Sequence, residues 1–455
     1  MTVRADDHHA RGQTPAVTGH HTIADSALLD AAVAEARDRY AAARPISADW
    51  ARRARDVLPG GNTRSVLHFD PFPFRVARAE GSTIVDVDGH RYTDLLGNYT
   101  AGLLGHSPEP VRRAATAAIQ RGWALGAVHP DEVLLAELIV SRFPAVESVR
   151  FTNSGTEANL MALAVATFHT GRSRVLVFDG GYHGGVLTFG AQRDVNVPHD
   201  WVVVGYNDVE AVDEVFSTAG PEIAAVLVEP VQGSAGCIPA EPSFLRALRA
   251  CCDRYGALLI FDEVMTSRLS AGGAQQLFGI TPDLTTLGKY LAGGFTFGAF
   301  GGRADVMDAF DTTGPLGHAG TFNNNVVSMS AGVATLSEVL TADVLSETNR
   351  RGERLRGELD ATFRHHGLPM SATGTGSLMT IHGAAGPIRS VEDLRSGDDR
   401  WKELLFFAAL EAGFYVARRG FVALSIEITD DDVARFVEAV DAWAMSTAPA
   451  VRPLA

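Results

Sequence analysis

Asp262 and Lys289 are the residues around which chemistry can be built, because each closes a short apolar run in LLIFDEVMTSRLSAGGAQQLFGITPDLTTLGKY, residues 258–290. The run Ala257 to Phe261 reads as a buried parallel strand that delivers Asp262, with Glu263 beside it, at its carboxyl end. Asp283 to Leu287 reads as a second strand that ends in Gly288-Lys289-Tyr290. In open α/β sheets, ligands lie in the crevice beyond the strand C-termini. A carboxylate there calls for a cationic partner, and a protonated ring nitrogen suits it. An amine desolvated in the same crevice loses its proton more easily and becomes a nucleophile that traps carbonyls. The pair therefore has the parts of a pyridoxal 5'-phosphate (PLP) site: a lysine for the aldehyde and an acid that keeps a pyridinium protonated. Val264, two residues beyond Asp262 on an extended segment, would face the same way and pack on the ring. Singly, a strand-end Asp or a Lys after Gly has an ordinary structural reading, so the weight rests on their joint occurrence.

Other segments offer what such a site needs. In FTNSGTEANLMALAVATFHTG, residues 151–171, Ser154, Gly155 and Thr156 open a long apolar helix that ends at Gly171. A helix start supplies unpaired N–H groups, a positive dipole end and here two hydroxyls, all of which favour a phosphate ester. Plain N-capping by Ser154 or Thr156 is the competing reading. Arg174 to Phe178 is a further buried strand, followed by Asp179-Gly180-Gly181-Tyr182-His183-Gly184-Gly185. Glycines let a backbone come close, so Tyr182 could lie flat on a ring or simply join the core. Ala224 to Val228 gives another strand, closed by Glu229. Arg64, in VLPGGNTRSVLHFDPFPF (57–74), sets a planar fork beside Val66, Leu67 and Phe69, a setting suited to a carboxylate, although most arginines are solvated.

These strings resemble the class III aminotransferases of PLP fold type I, whose signature is an apolar strand, D-E-V, then P-D-L-T-T-L-G-K, with N-S-G-T-E-A and Y-H-G upstream. The resemblance covers roughly residues 45 to 445. It implies an α/β fold, with a large domain built on a mostly parallel central sheet flanked by helices. A smaller α+β domain would come from the N- and C-terminal segments. It also implies PLP as cofactor and Lys289 and Asp262 as catalytic residues, with Ser154, Gly155 and Thr156 on the phosphate. Tyr182 and His183, from Y-H-G, would bind the cofactor, Tyr182 stacking on the ring opposite Val264, and Glu229, the V-E-P acid, would buttress the ring-side network. Thr321, in GHAGTFNNNV (317–326), matches a threonine that reaches the phosphate of the neighbouring subunit, which implies a homodimer with shared active sites.

Two further strings narrow the branch. R-S-V-L-x-F-x-P-F-P from Arg64 and R-G-F-V-x-L-S from Arg419 are similar to aromatic β-amino acid aminotransferases. In that branch the first arginine grips the substrate carboxylate and the second binds the second carboxylate of the amino acceptor. Glutamate-1-semialdehyde aminomutases instead begin the first segment with P-G-G-V-N-S-P-V-R and carry S-G-N-P where this chain has Asn324-Asn325-Val326. The resemblance thus implies transfer of an amine from β-phenylalanine or a similar donor to a 2-oxo acid, 2-oxoglutarate or pyruvate. The aminomutase reaction is the alternative, and a PLP-binding protein without catalysis is the reading from another class.

Composition agrees with a large enzyme. The 455 residues, 46% apolar and 20% charged, suffice for one large α/β domain and a smaller one. We expect a tail at 1–22, the N-terminal part of the small domain at 23–97, the PLP-binding domain at 98–340 and the C-terminal part of the small domain at 341–455. The tail's pairs His8-His9 and His20-His21 lack the Cys or carboxylate cluster that would complete a metal site. A formal charge of −15 argues against nucleic acid as partner. No run of about 18 apolar residues suggests a membrane span, and the start lacks a signal-peptide pattern. Cys237, Cys251 and Cys252 fit neither a disulfide framework nor a zinc pattern, which points to the cytoplasm. The glycines after Lys289 open no helix, so a dinucleotide fingerprint lacks its context.

Overall fold

The computed structural model describes residues 26–450 apart from 191, 192, 194 and 312. The expected tail and its histidine pairs lie outside the described residues. Seven strands form the main sheet, in the order Ser148–Thr152, Gly298–Gly302, Leu284–Gly288, Leu258–Asp262, Ile223–Val228, Arg174–Phe178, Asp200–Val204. Gly298–Gly302 runs antiparallel to both its neighbours, and every other pairing is parallel. The apolar runs become strands because both faces are covered. Val175, Val177, Leu227 and Ile260 pack with Ala158, Ala162 and Leu163 of helix Gly155–Thr170. The alternate residues Leu176, Phe178, Val226, Leu259 and Phe261 pack with Phe244 and Leu248 of helix Pro242–Tyr255. That division follows the two-residue period of strand side chains.

The strands fall close to their expected bounds. Asp262 is the last residue of its strand, and Lys289 follows the last residue of the next. Asp283 stands just before the first residue of its strand, where its backbone N–H donates to Leu259 O at 2.8 Å and its backbone O accepts from Arg303 N at 3.1 Å, and its carboxylate adds to both contacts. Oδ2 accepts from Leu259 N at 2.8 Å and Oδ1 from Arg303 Nη1 at 2.9 Å, which fixes the starts of the two site-bearing strands against each other.

The terminal segments share a separate core. Leu29, Tyr40, Phe72 and Ile84 pack in one cluster with Leu355, Phe406, Phe414 and Phe436. A hairpin joins strands Thr83–Asp86 and Arg91–Asp94, turning at Gly89, whose φ of 95° suits glycine. A three-stranded antiparallel sheet, Ser371–Thr375, Leu378–His382 and Phe421–Ala423, lies in the C-terminal part. The strand Phe421–Ala423 stops where the chain changes partners. Leu424 N donates to Ser377 O and Ile426 N to Leu103 O, which carries the chain off the sheet. No helix among the described residues is long and apolar enough to cross a membrane.

Candidate active site

The site grows from the carboxyl end of the sheet. Asp262 is 5% exposed, and three donors surround its carboxylate. Oδ2 accepts from Asn159 Nδ2 and from His183 Nδ1, both at 2.8 Å, and Oδ1 accepts from Val264 N at 3.0 Å. Asn159 is itself fixed: its Nδ2 also reaches His183 O at 3.0 Å, and its Oδ1 accepts from Thr286 Oγ1 at 2.8 Å. One face of the apolar helix, one strand end and one glycine-rich loop therefore converge on a single buried anion. Sequence reasoning misses Asn159. The available signal is an amide on the buried face of an otherwise apolar helix, where a polar group needs a partner.

Val264 departs from its expected setting. The strand ends at Asp262 and the chain turns, since the Asp262 carboxylate captures the Val264 N–H. The Val264 side chain also covers two glycines. A Cβ on Gly155 would lie 2.7 and 2.8 Å from its methyl carbons, and one on Gly288 would lie 3.3 Å from the nearer methyl.

Lys289 is partly buried and has a φ of 55°, the left-handed region that non-glycine residues seldom occupy and that clusters at functional sites. Burial holds its amine below the ordinary lysine value; Asp262 and Glu229 oppose that shift and Arg419 adds to it. Glu229 lies in the same crevice, with Oε1 accepting from Tyr182 N at 2.9 Å and Oε2 from Gly233 N at 3.0 Å. Burial pushes its carboxyl up to about 7, with Asp262 raising it and His183 and the two N–H groups lowering it. Tyr182 is thereby anchored through its backbone while its side chain stays 47% exposed.

At the helix start, the capping reading holds for one hydroxyl. Ser154 Oγ accepts from Glu157 N at 3.2 Å, and Glu157 reaches back to Asn153 N at 2.8 Å. The N–H groups of Gly155 and Thr156, at the first two helical positions, have no intrahelical acceptor. Gly184, at φ 137°, passes so close that a Cβ there would strike the Thr156 hydroxyl.

Arg64 and Arg419, remote in sequence, meet over one ring. Their guanidinium carbons lie 5.8 and 5.0 Å from the centroid of Tyr99, and Arg419 is also 5.5 Å from that of Phe421. Arg64 Nη1 donates to Asn98 Oδ1 at 2.6 Å, and Arg419 Nη1 makes only a long contact, 3.5 Å, with Ser234 Oγ. Sequence reasoning misses Asn98 and Tyr99. Thr321 is not drawn in with the others: it is exposed, in a loop whose Asn323 accepts from Asn153 Nδ2 at 2.9 Å.

The family model described as Aminotransferase class-III matches residues 67–441. The chain is 50% identical over 419 residues to the β-phenylalanine transaminase of Variovorax paradoxus, which covers 92% of this chain and 96% of that one. It is 39% identical over 417 residues to the glutamate-1-semialdehyde 2,1-aminomutase of Akkermansia muciniphila, covering 87% of this chain and 97% of the other. A solved structure of a β-phenylalanine aminotransferase from Variovorax paradoxus superposes with a TM-score of 0.90 at 50% identity, covering 92% of this chain and 98% of its own.

Proposed function

The chain belongs to the class-III aminotransferase family, and from that premise we propose that it moves the amine of an aromatic β-amino acid, such as β-phenylalanine, to 2-oxoglutarate or pyruvate with PLP as cofactor. The residues fit that cofactor. Asp262 is a buried acid whose carboxyl meets three donors and, among the described residues, no arginine, a setting that suits a ring cation. The free N–H groups of Gly155 and Thr156 suit a phosphate. Tyr182 and Val264 would flank the ring, and Glu229 would hold Tyr182 in place.

When bound, PLP supplies an electron sink for the carbon that bears the amine. The chain's own groups do the rest. Lys289, with an amine that gives up its proton readily, would carry the cofactor and then move a proton at the amine-bearing carbon, a role worth about 10² to 10⁴ in rate. Asp262 would keep a proton on the ring nitrogen, and Asn159 and His183 would keep Asp262 oriented. Arg64 would hold the donor carboxylate one carbon farther from the reacting centre than an α-amino acid places it. Arg419 would take the acceptor's second carboxylate.

The observation that carries the substrate reading is the pair of arginines on Tyr99, neither with a carboxylate partner among the described residues. A homodimer is supported by the apolar groups Trp123, Leu125, Val128 and Phe322, exposed by 59, 46, 85 and 66%. The Phe322 loop is joined to that face where His129 Nε2 meets Asn324 O at 2.8 Å. Cys237, Cys251 and Cys252 are free and buried, which supports a reducing cytoplasm. The test supplies the PLP form with β-phenylalanine and no acceptor. Conversion of the cofactor's absorption to its amine form, reversed by 2-oxoglutarate, supports the reading. Isomerisation of glutamate semialdehyde without that half-reaction would overturn it.

A further inference from the structure

Four consecutive residues, Gly97, Asn98, Tyr99 and Thr100, have left-handed backbones, with φ of 53°, 47°, 51° and 80°. Only the first is glycine. Such a run is disfavoured for L-residues and persists where the surroundings over-determine it, which happens chiefly at functional sites. Here the surroundings do so. Asp94 Oδ1 accepts from Leu96 N at 2.9 Å and Gly97 N at 3.1 Å, and Gly102 N closes on Gly97 O at 2.8 Å. A Cβ on Gly97 would lie 2.8 Å from Ala423 O, so the turn is pressed against the end of the Phe421–Ala423 strand.

The product of this forced turn is the placement of one side chain. The Tyr99 ring is 9% exposed and stacks on Phe421, centroids 5.6 Å apart with 27° between planes, two residues beyond Arg419. Its hydroxyl donates to Val66 O at 2.8 Å, two residues beyond Arg64. Both guanidinium groups lie within 6 Å of its centroid, the range of a cation–π contact. A carboxylate in that position would also hold two arginines, but it would occupy their N–H donors. An aromatic face holds the charge and leaves the donors to a ligand.

We propose that Tyr99 is a positioning residue for both carboxylate-binding arginines, its ring the shared support of Arg64 and Arg419 and its hydroxyl the tether of the segment that carries Arg64. This rests on the reading of those arginines as the substrate's carboxylate sites.

The test uses the PLP-loaded enzyme and two unreactive ligands, 3-phenylpropanoate for the donor and glutarate for the acceptor, with affinities measured by calorimetry. Tyr99→Phe keeps the ring and loses the tether: it should weaken 3-phenylpropanoate several-fold and glutarate clearly less, since Arg419 still holds its second carboxylate. Tyr99→Leu removes the ring and should weaken both by roughly 5- to 30-fold, the size of a desolvated cation–π contact. Cofactor absorption should stay as in the wild type in both, which a merely structural role would not preserve. Unchanged affinities in Tyr99→Leu overturn the proposal, as does equal loss of both ligands in Tyr99→Phe. If Tyr99→Leu does not fold, an unaltered 3-phenylpropanoate affinity in Tyr99→Phe is itself sufficient to overturn it. Wild-type enzyme that binds glutarate but not 3-phenylpropanoate removes the aromatic donor reading, and the glutarate arm then decides Tyr99 alone. Wild type that binds neither removes both.

Discussion

Asp262→Asn removes one negative charge at nearly constant size, and its consequences separate into two terms. The first is local. Two donors, Asn159 Nδ2 and His183 Nδ1, converge on Oδ2, so an amide keeps its oxygen there and turns its NH₂ toward the Val264 N–H. One buried donor then loses its acceptor, at a cost of about 1 to 3 kcal/mol. The second term acts on the cofactor. An opposite charge within bonding range supports a protonated group by 1 to 3 pKa units, so the ring-protonated fraction, and the donor half-reaction with it, should fall by up to about 10- to 1000-fold at a pH above the ring nitrogen's pKa. The assay is single-turnover conversion of the PLP form by β-phenylalanine, run beside a thermal melt of the apoprotein. A variant with the lower melting temperature and the wild-type single-turnover rate would refute the assignment of Asp262 to the ring nitrogen and leave it a structural acid.

Borohydride reduction followed by peptide mapping should place the cofactor on Lys289, and Lys289→Ala should bind PLP noncovalently without turnover; label on another lysine contradicts this. Glu229 has a folded-state pKa raised to about 7, so its stabilising contribution is full below its unfolded value and is lost as pH rises through about 7. That loss is at most about 3 kcal/mol, and Glu229→Gln should flatten the corresponding slope of apoprotein melting temperature between about pH 4.5 and 7. Arg64→Ala should lose the β-amino acid half-reaction by about 2 to 5 kcal/mol while a simple amine without a carboxylate still reacts; equal losses for both would count against it. Thr321→Ala should lower PLP affinity in a dimer, and a fully active monomeric enzyme would exclude its action across an interface.

The sheet was legible because strands covered on both faces read as unbroken apolar runs, and Asp262 and Lys289 stand where those runs stop. Local competition between hydrogen bonds was not legible. Nothing in the letters says that the Asp262 carboxylate takes the Val264 N–H and bends the chain, or that Ser154 spends its hydroxyl on Glu157 N while Gly155 and Thr156 keep their N–H groups free. Long-range partners are harder still. Asn159 owes its place to Asp262 and Thr286, 103 and 127 residues away, and Tyr99 owes its place to a backbone conformation that its own residue type disfavours.

The glycines under Lys289 carry a consequence for how such a protein can change. Gly155 presses on Val264 and a Cβ on Gly298 would strike the Ser154 carbonyl oxygen, while one on Gly288 would lie 3.3 Å from a Val264 methyl, so the base of the crevice is backbone against side chain with little slack for added methyl groups. The rim, by contrast, is made of long side chains on separate segments, with a neutral amide, Asn98, as the exchangeable partner of Arg64. Mutational drift and laboratory evolution should therefore find their tolerated substitutions at the rim. New donors and acceptors would be acquired there while the tightly packed base is inherited unchanged.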